Sequence, residues 1–368
     1  MKRIKSIDIL RGLSMCWMFI GHILAWWIRD KDRHLYLETF EIFDPIGATA
    51  FLFVAGISSM ISYRNRMTKT ENSEGYTKSR VRNEYMLRAS FIFILAIIYN
   101  LVAAIKDNDL KMIWTWYILL TVAISLFLGW PLLKTPKYFR IFIGVIYWIA
   151  HLYVFSFLKP YEGDINNYGL LYHILYNEWA LDPILPTFPF FIFGTVLGDI
   201  LFDINLIEDR NERKLALKVK FLLPLLILGP ILILFSILYN SISIPQNRSY
   251  SWLIYALGVV LTLLSTFIVF EEFIIHETKK SYKFLYYFSY YSLTIYLAHN
   301  ALYFLFYHQI SWPLIWIYII ATIIIVGIVF RFIHKRWSYK VSIKMQLGRL
   351  ASGIAGKIEE RKSNRLKN

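Results

Sequence analysis

The sequence predicts an all-α polytopic integral membrane protein of about ten transmembrane helices, with both termini in the cytoplasm. Three observations predict it. The 368 residues are 57% hydrophobic and 18% aromatic, with a mean hydropathy of +0.47. That is more apolar material than a soluble domain of this length needs for its core. The apolar residues come in runs of about twenty, the length that crosses a hydrocarbon layer of about 30 Å. Finally, 40 Lys and Arg stand against 25 Asp and Glu, and the excess falls in alternate connections, as the positive-inside pattern requires.

The apolar segments are residues 9–28, 45–63, 88–105, 112–132, 139–158, 183–203, 220–240, 251–271, 284–307 and 313–333. The first is too long for a secretory signal and has no small-residue cleavage site after it, so it reads as a retained span. Basic clusters occupy the N-terminus (Lys2, Arg3, Lys5), the second connection (Arg64, Arg66, Lys69, Lys78, Arg80, Arg82), the fourth (Lys134, Lys137, Arg140) and the sixth (Arg210, Arg213, Lys214, Lys218, Lys220). The other connections are acidic or near neutral, for example Glu38, Glu41 and Asp44, then Glu162, Asp164, Glu178 and Asp182. The third and fourth spans are separated only by Lys106 to Lys111. The 159–182 connection, with Tyr161, His173 and Trp179, is the longest outer one and reads either as a cap over a cavity or as a solvated loop. Asn247-Arg248-Ser249 fits a glycosylation sequon on the outer side.

Residues 1–333 thus form one transmembrane domain. Residues 334–368 form a basic amphipathic cytoplasmic tail, with Ile343, Leu347, Leu350, Ile354 and Ile358 at helical spacing. The single cysteine, Cys16, precludes an intrachain disulfide. In a membrane protein the basic excess points to anionic lipid and to a phosphorylated ligand, not to nucleic acid.

P-loop, HExxH, GxSxG and CxxC patterns are absent. What remains is a set of costly intramembrane polar groups, which mark function by default. Residues Ser6 to His22 read SIDILRGLSMCWMFIGH. On a helix, Asp8, Arg11, Met15, Met18 and His22 share one stripe. Arg11 and His22 then lie roughly 16 Å apart, so one face links a cytoplasmic anion site to a deeper imidazole. His22 and His299 with Asn300 fall at matching depth in the outer halves of their spans, while Asp44 and Asp182 open two others. A carboxylate paired with an imidazole makes a general base or nucleophile. The competing reading is a satisfied structural histidine in each helix. Neither His22 nor His299 has a histidine three or four residues away, so no metal is expected. Arg64, Arg66, Arg80, Arg82 and Arg88 gather at one boundary and suit a polyphosphate such as the diphosphate of coenzyme A. Positive-inside charge explains most of them equally well. Arg88 falls inside a helical run, where a charge is costly unless paired.

These residues resemble the transmembrane acyltransferase superfamily, in two branches: the heparan-α-glucosaminide N-acetyltransferase-like proteins and the acyltransferase-3 family. The D-x-x-R-G opening matches Asp8, Arg11 and Gly12, and the histidine ending the first helix matches His22. The stretch FLFVAGIS, with Ala55 before Gly56, is nearer the glucosaminide branch, as is IWTWYILLTVAISLF. Arg64 and Arg66 match inner-side arginines. A late Y-S-x-x-x-Y-L-x-H pattern matches Tyr291, Ser292, Tyr296, Leu297 and His299. His34, ten residues before Asp44, reproduces the histidine-to-aspartate spacing of the glucosaminide branch.

The resemblance implies an acyltransferase that moves an acyl group, acetyl first, from cytoplasmic acyl-CoA. The acceptor is an amine or hydroxyl of a sugar, glycolipid or polysaccharide at the outer face. His22 or His34 would accept the acyl group or deprotonate the acceptor, and Asp44 would orient the imidazole. His299 and Asn300 would hold or polarise the thioester carbonyl. Arg11, Arg64, Arg66, Arg80 and Arg88 would hold the CoA phosphates. Expected partners are membrane lipids, acyl-CoA and the carbohydrate acceptor, a homodimer is an open alternative, and the plasma membrane is the expected location. The rival class is a proton-coupled transporter or flippase, which calls for inverted repeats or paired broken helices. The sequence shows neither. A structural membrane scaffold is a third reading, and it leaves the recurrence of polar groups at one depth unexplained.

Overall fold

The computed structural model of the chain describes residues 4–34, 42–72, 76–177, 181–240, 249–274 and 283–367. Lys2, Arg3, Glu38, Glu41, Glu178, Trp179, Asn247 and Arg248, singled out above, lie outside them. The described residues are helical: α1 (Lys5–Trp27), α2 (Ala48–Asn72), α3 (Lys78–Asp107), α4 (Ile118–Leu132), α5 (Lys137–Leu158), α6 (Asn167–Leu175) and α7 (Ile184–Asn205). There follow α8 (Arg210–Leu217), α9 (Leu223–Tyr239), α10 (Tyr250–Val269), α11 (Lys283–Tyr290), α12 (Ser292–Ala298), α13 (Trp312–Trp337) and α14 (Ile343–Lys367). Among the described residues there is no named strand, but one isolated parallel bridge joins Ile28 and Ile310. The protein is an all-α polytopic membrane protein.

Among the described residues, eight helical stretches are long and apolar enough to cross a membrane: Lys5–Trp27, Asp44–Asn72, Lys78–Asp107, Lys137–Tyr161, Ile184–Asn205, Arg210–Tyr239, Tyr250–Ile274 and Trp312–Lys362. The other two expected spans differ from a plain helix, each for a local reason. The fourth is shorter. α3 closes on Asn108, in the left-handed conformation at φ 52°, and Leu110–Trp114 forms a 3-10 turn before α4 begins. Asparagine tolerates that conformation because its short side chain bonds locally. The ninth is broken into α11, α12 and a 3-10 stretch His299–Phe304.

The chain divides into two compact units. One comprises Ala55–Leu206 with Leu347–Asn368 and Met1, the other Lys2–Val54 with Ile207–Gln346. In the first, the basic ends of α2, α3 and α5 gather with the end of α7, where Asp199 and Asp203 meet Arg64 and Lys137. At the opposite end, the Thr121 hydroxyl donates to Asp182 O at 2.5 Å and the Asp182 N–H to Trp116 O at 2.9 Å. The two ends of the unit thus separate the basic from the acidic connections, as alternating crossings require. The 159–182 connection forms α6, whose Tyr172 is buried with Tyr176 and Leu158. Burial and the Glu162 carboxylate, which accepts the Tyr172 hydroxyl at 3.0 Å, push that phenol up from its ordinary pKa.

Two motif glycines are sites of close helix approach, as expected where lipid gives no hydrophobic drive and packing must bring helices together. In the second unit a Cβ on Gly12 would overlap the Leu285 carbonyl of α11. In the first, a Cβ on Gly56 would overlap the Phe191 carbonyl of α7. Backbone cannot step aside as a side chain can. Gly12→Ala is therefore expected to destabilise by about 1–3 kcal/mol. Gly348→Ala, in open space on α14, should be neutral or slightly stabilising by helix propensity. Thermal unfolding in detergent checks both, and equal midpoints for the two variants would refute the packing argument.

Candidate functional site

The second unit builds its site from the end of α1 and the broken ninth apolar segment, α11, α12 and His299–Phe304. Lys5 and Ser6 donate their backbone N–H groups to Glu271 at 2.8 and 2.7 Å, which satisfies orphan donors at the start of α1. One turn on, buried Asp8 lies 3.9 Å from Arg11 and accepts the Ser289 hydroxyl of α11 at 3.1 Å. Lys344 donates to Ser289 O at 2.7 Å. The D-x-x-R-G motif thus seats α1 on α11. The far end of α1 is strapped to residues 302–310. Trp27 Nε1 donates to Leu302 O at 2.7 Å, His308 N–H to Trp26 O at 2.9 Å and Ile310 N–H to Trp27 O at 2.8 Å. The returning Arg29 N–H reaches Ile310 O at 3.0 Å.

Between these attachments His22 meets His299, with ring centroids 4.7 Å apart. Trp26, one turn beyond His22 on α1, stacks on His22 at 4.8 Å and on His299 at 5.7 Å. Tyr296 and Phe19 close the enclosure at 5.4 and 6.4 Å from His299. His299 is 2% exposed. Its Nδ1 is hydrogen-bonded to the Tyr296 carbonyl. A carbonyl only accepts, so Nδ1 carries the proton and Nε2 keeps its lone pair. The break between α12 and the 3-10 stretch makes this possible, because carbonyls at a helix end lack the amide partners of a continuing helix. Nε2 is buried with no hydrogen-bond partner among the described residues. A buried polar atom is normally paired. An oriented, unpaired imidazole nitrogen is a base or nucleophile awaiting a reactant.

The other expected site residues in this unit fall elsewhere. His34 is exposed. Asp44 opens a 3-10 turn, Asp44–Ile46, that packs on the Trp17 face of α1. Phe43 lies 5.6 Å from Trp17 ring to ring, and a Cβ on Gly47 would come 3.0 Å from the same indole. Trp17 and His22 are five residues apart, about 140° around a helix. The turn carrying Asp44 is therefore on a different face of α1 from the imidazole pair, and the partner that orients His299 is a carbonyl. Asn300 is exposed beside His299.

In the first unit the inner arginines Arg64, Arg66 and Arg80 are each met by a carboxylate, while Arg82 is exposed and Arg88 half-buried. Arg64 binds Asp199, and Asp203 at 2.9 Å, and stacks 4.6 Å from the Phe202 ring. Arg66 lies 2.8 Å from Glu84, and Arg80 lies 3.3 Å from Glu84 and 3.5 Å from Glu359. Sequence reasoning missed the member at the centre of this region. Arg140, counted there as a loop charge, is fully buried. It binds Asp199 and donates to Thr195 O at 3.0 Å. The available signal was Asp199 and Asp203, two acids four apart inside an apolar run. Trp26 was also missed, although Phe19, His22 and Trp26 have the spacing of one helix face. Among the described residues no three His, Cys, Asp or Glu side chains converge as metal ligands would.

The family model of the acyltransferase-3 family, described as an acyltransferase domain, matches residues 4–334. No curated protein matches the chain. The match spans both units and contains the Asp8-Arg11-Gly12 opening and the two facing histidines. The chain belongs to the acyltransferase-3 family and is a membrane acyltransferase.

Proposed function

We propose that the protein transfers an acetyl group, or a similarly small acyl group, from acyl-CoA to an amine or hydroxyl of a sugar, glycolipid or polysaccharide. The acceptor lies at the outer face of the plasma membrane. The observation that carries the chemistry is the unpaired Nε2 of His299, beside His22 in an aromatic enclosure. The acceptor N–H or O–H gives its proton to Nε2 as its heavy atom attacks the thioester carbonyl. Nδ1–H stays on the Tyr296 carbonyl and keeps the ring in place. Collapse of the tetrahedral intermediate expels the CoA thiolate, which takes the proton back from Nε2. His22, stacked under the same indole, is the second imidazole that borders the reacting atoms. Aromatic walls exclude water and so limit hydrolysis of the thioester.

The test uses purified protein in liposomes with acetyl-labelled acetyl-CoA and a crude glycolipid and polysaccharide fraction. Label should enter that fraction with release of free CoA thiol. His22→Ala should remove most of the transfer, whereas His34→Ala should keep at least half. Loss in His34→Ala with retention in His22→Ala would move the chemistry to the outer turn. One observation favours the transporter or flippase reading, namely the broken ninth crossing. It predicts labelled sugar or lipid crossing the bilayer chemically unchanged. Flux without acetyl incorporation would decide for it.

A further inference from the structure

Arg11, Met15, Met18, His22 and Trp26 follow one another at steps of four, three, four and four residues. One face of α1 therefore runs from the Asp8–Arg11 pair to the imidazoles and ends at an indole. The His22 and His299 rings are 4.7 Å apart, centroid to centroid. Rings on opposite faces of an indole stand at least about 7 Å apart, two carbon contact distances. Both imidazoles therefore lie to one side of Trp26, whose ring is 4.8 and 5.7 Å from theirs and inclined by 24° and 18°.

This cover is close, and it is braced. A methylene between two rings needs about 7–8 Å, one contact of about 3.5–4.0 Å on each side. Neither imidazole leaves that gap to the indole. Tyr303 meets the indole at 5.7 Å and 78°, and Tyr307 backs Tyr303 at 4.7 Å. The Trp26 carbonyl accepts the His308 N–H at 2.9 Å. His308 Nδ1 in turn lies 2.9 Å from Asp30, in the turn that follows α1. The other walls belong to the core: Phe19 and Tyr296 are buried, and Phe288 backs Phe19 at 6.1 Å. Trp26 is half-buried, so it is the wall whose removal opens space without emptying the core.

We infer that Trp26 is the specificity-determining residue for acyl length. Its indole stops the carbons that extend from a carbonyl held at His299 Nε2, and so admits short acyl groups and refuses long ones. That the carbonyl is a thioester arriving from the Arg11 end of α1 rests on the acyl-CoA reading above.

The test compares acetyl-, butyryl- and octanoyl-CoA as donors to the same glycolipid and polysaccharide fraction, with full-length wild type, Trp26→Ala and Trp26→Phe in liposomes. The wild type should lose about tenfold or more in kcat/KM from acetyl to octanoyl. Trp26→Ala should raise the octanoyl-to-acetyl ratio about tenfold or more, with Trp26→Phe between the two. A ratio is insensitive to a loss of folded protein, which lowers both rates alike. A second readout needs no turnover. Diethyl pyrocarbonate acylates unprotonated imidazole with a group larger than acetyl, and mass spectrometry resolves each histidine. His299 should react several-fold faster in Trp26→Ala than in the wild type, with exposed His34 as the internal reference. Transfer with an unchanged ratio in both variants overturns the assignment and leaves the acyl-CoA reading standing. Equal labelling of His299 in all three proteins overturns it as well. No transfer from any of the thioesters sinks the acyl-CoA reading, and the labelling then decides alone whether the indole limits what reaches Nε2.

Discussion

His299→Asn is expected to cut acyl transfer by about 10²–10⁴-fold while the protein stays folded. The asparagine amide can still donate to the Tyr296 carbonyl that His299 Nδ1 reaches, so the cap at the end of α12 survives. What is lost is Nε2, the buried nitrogen with no partner among the described residues. A positioned base contributes about 10²–10⁴-fold to a proton-transfer step, and the loss in turnover should fall in that range. The measurement is acetyl incorporation at saturating acetyl-CoA, alongside thermal unfolding. A variant with wild-type turnover would remove His299 from the chemistry. A variant whose activity falls only in step with its unfolding midpoint would make it a structural histidine.

The second large effect is expected on stability. Asp199→Leu leaves Arg140, which is fully buried, with Thr195 as the remaining partner of those described above. A buried charge deprived of its counter-charge costs about 3–5 kcal/mol. Replacing both partners, in Arg140→Leu with Asp199→Leu, removes the buried charges together and should cost less than Asp199→Leu alone. Denaturant unfolding of the single and double variants reads the coupling directly. Simple additivity would mean that the two side chains do not depend on each other, contrary to their direct ion pair.

Much of this was legible in the sequence, for identifiable reasons. Run length and alternating loop charge reflect the thickness of the bilayer and the cost of moving cations across it, and neither depends on how helices pack. They yielded the all-α membrane class. The D-x-x-R-G opening and the late Y-S-x-x-x-Y-L-x-H pattern pointed to His22 and His299 and to two acyltransferase branches, of which the acyltransferase-3 family is the one shown. The part drawn from the glucosaminide branch that would have Asp44 orient His22 was less legible: the turn carrying Asp44 packs on the Trp17 face of α1, and a backbone carbonyl orients the second imidazole. Spacing along a chain cannot reveal this, because any carbonyl freed by a helix break can serve as the partner.

The sequence by itself determined that polar groups sit inside apolar spans, and which residues of one helix share a face, because helical periodicity is a local property. Only the tertiary structure decided which faces meet. Gly12 seats α1 against the Leu285 backbone, the 302–310 strap holds its other end, and together they set the register that brings His22 to His299. Likewise a charge count shows that the inner side is basic, but not that Asp199, Glu84 and Glu359 already answer its arginines. Pairing depends on the distance between helices remote in sequence, and that distance is fixed by close packing rather than by composition.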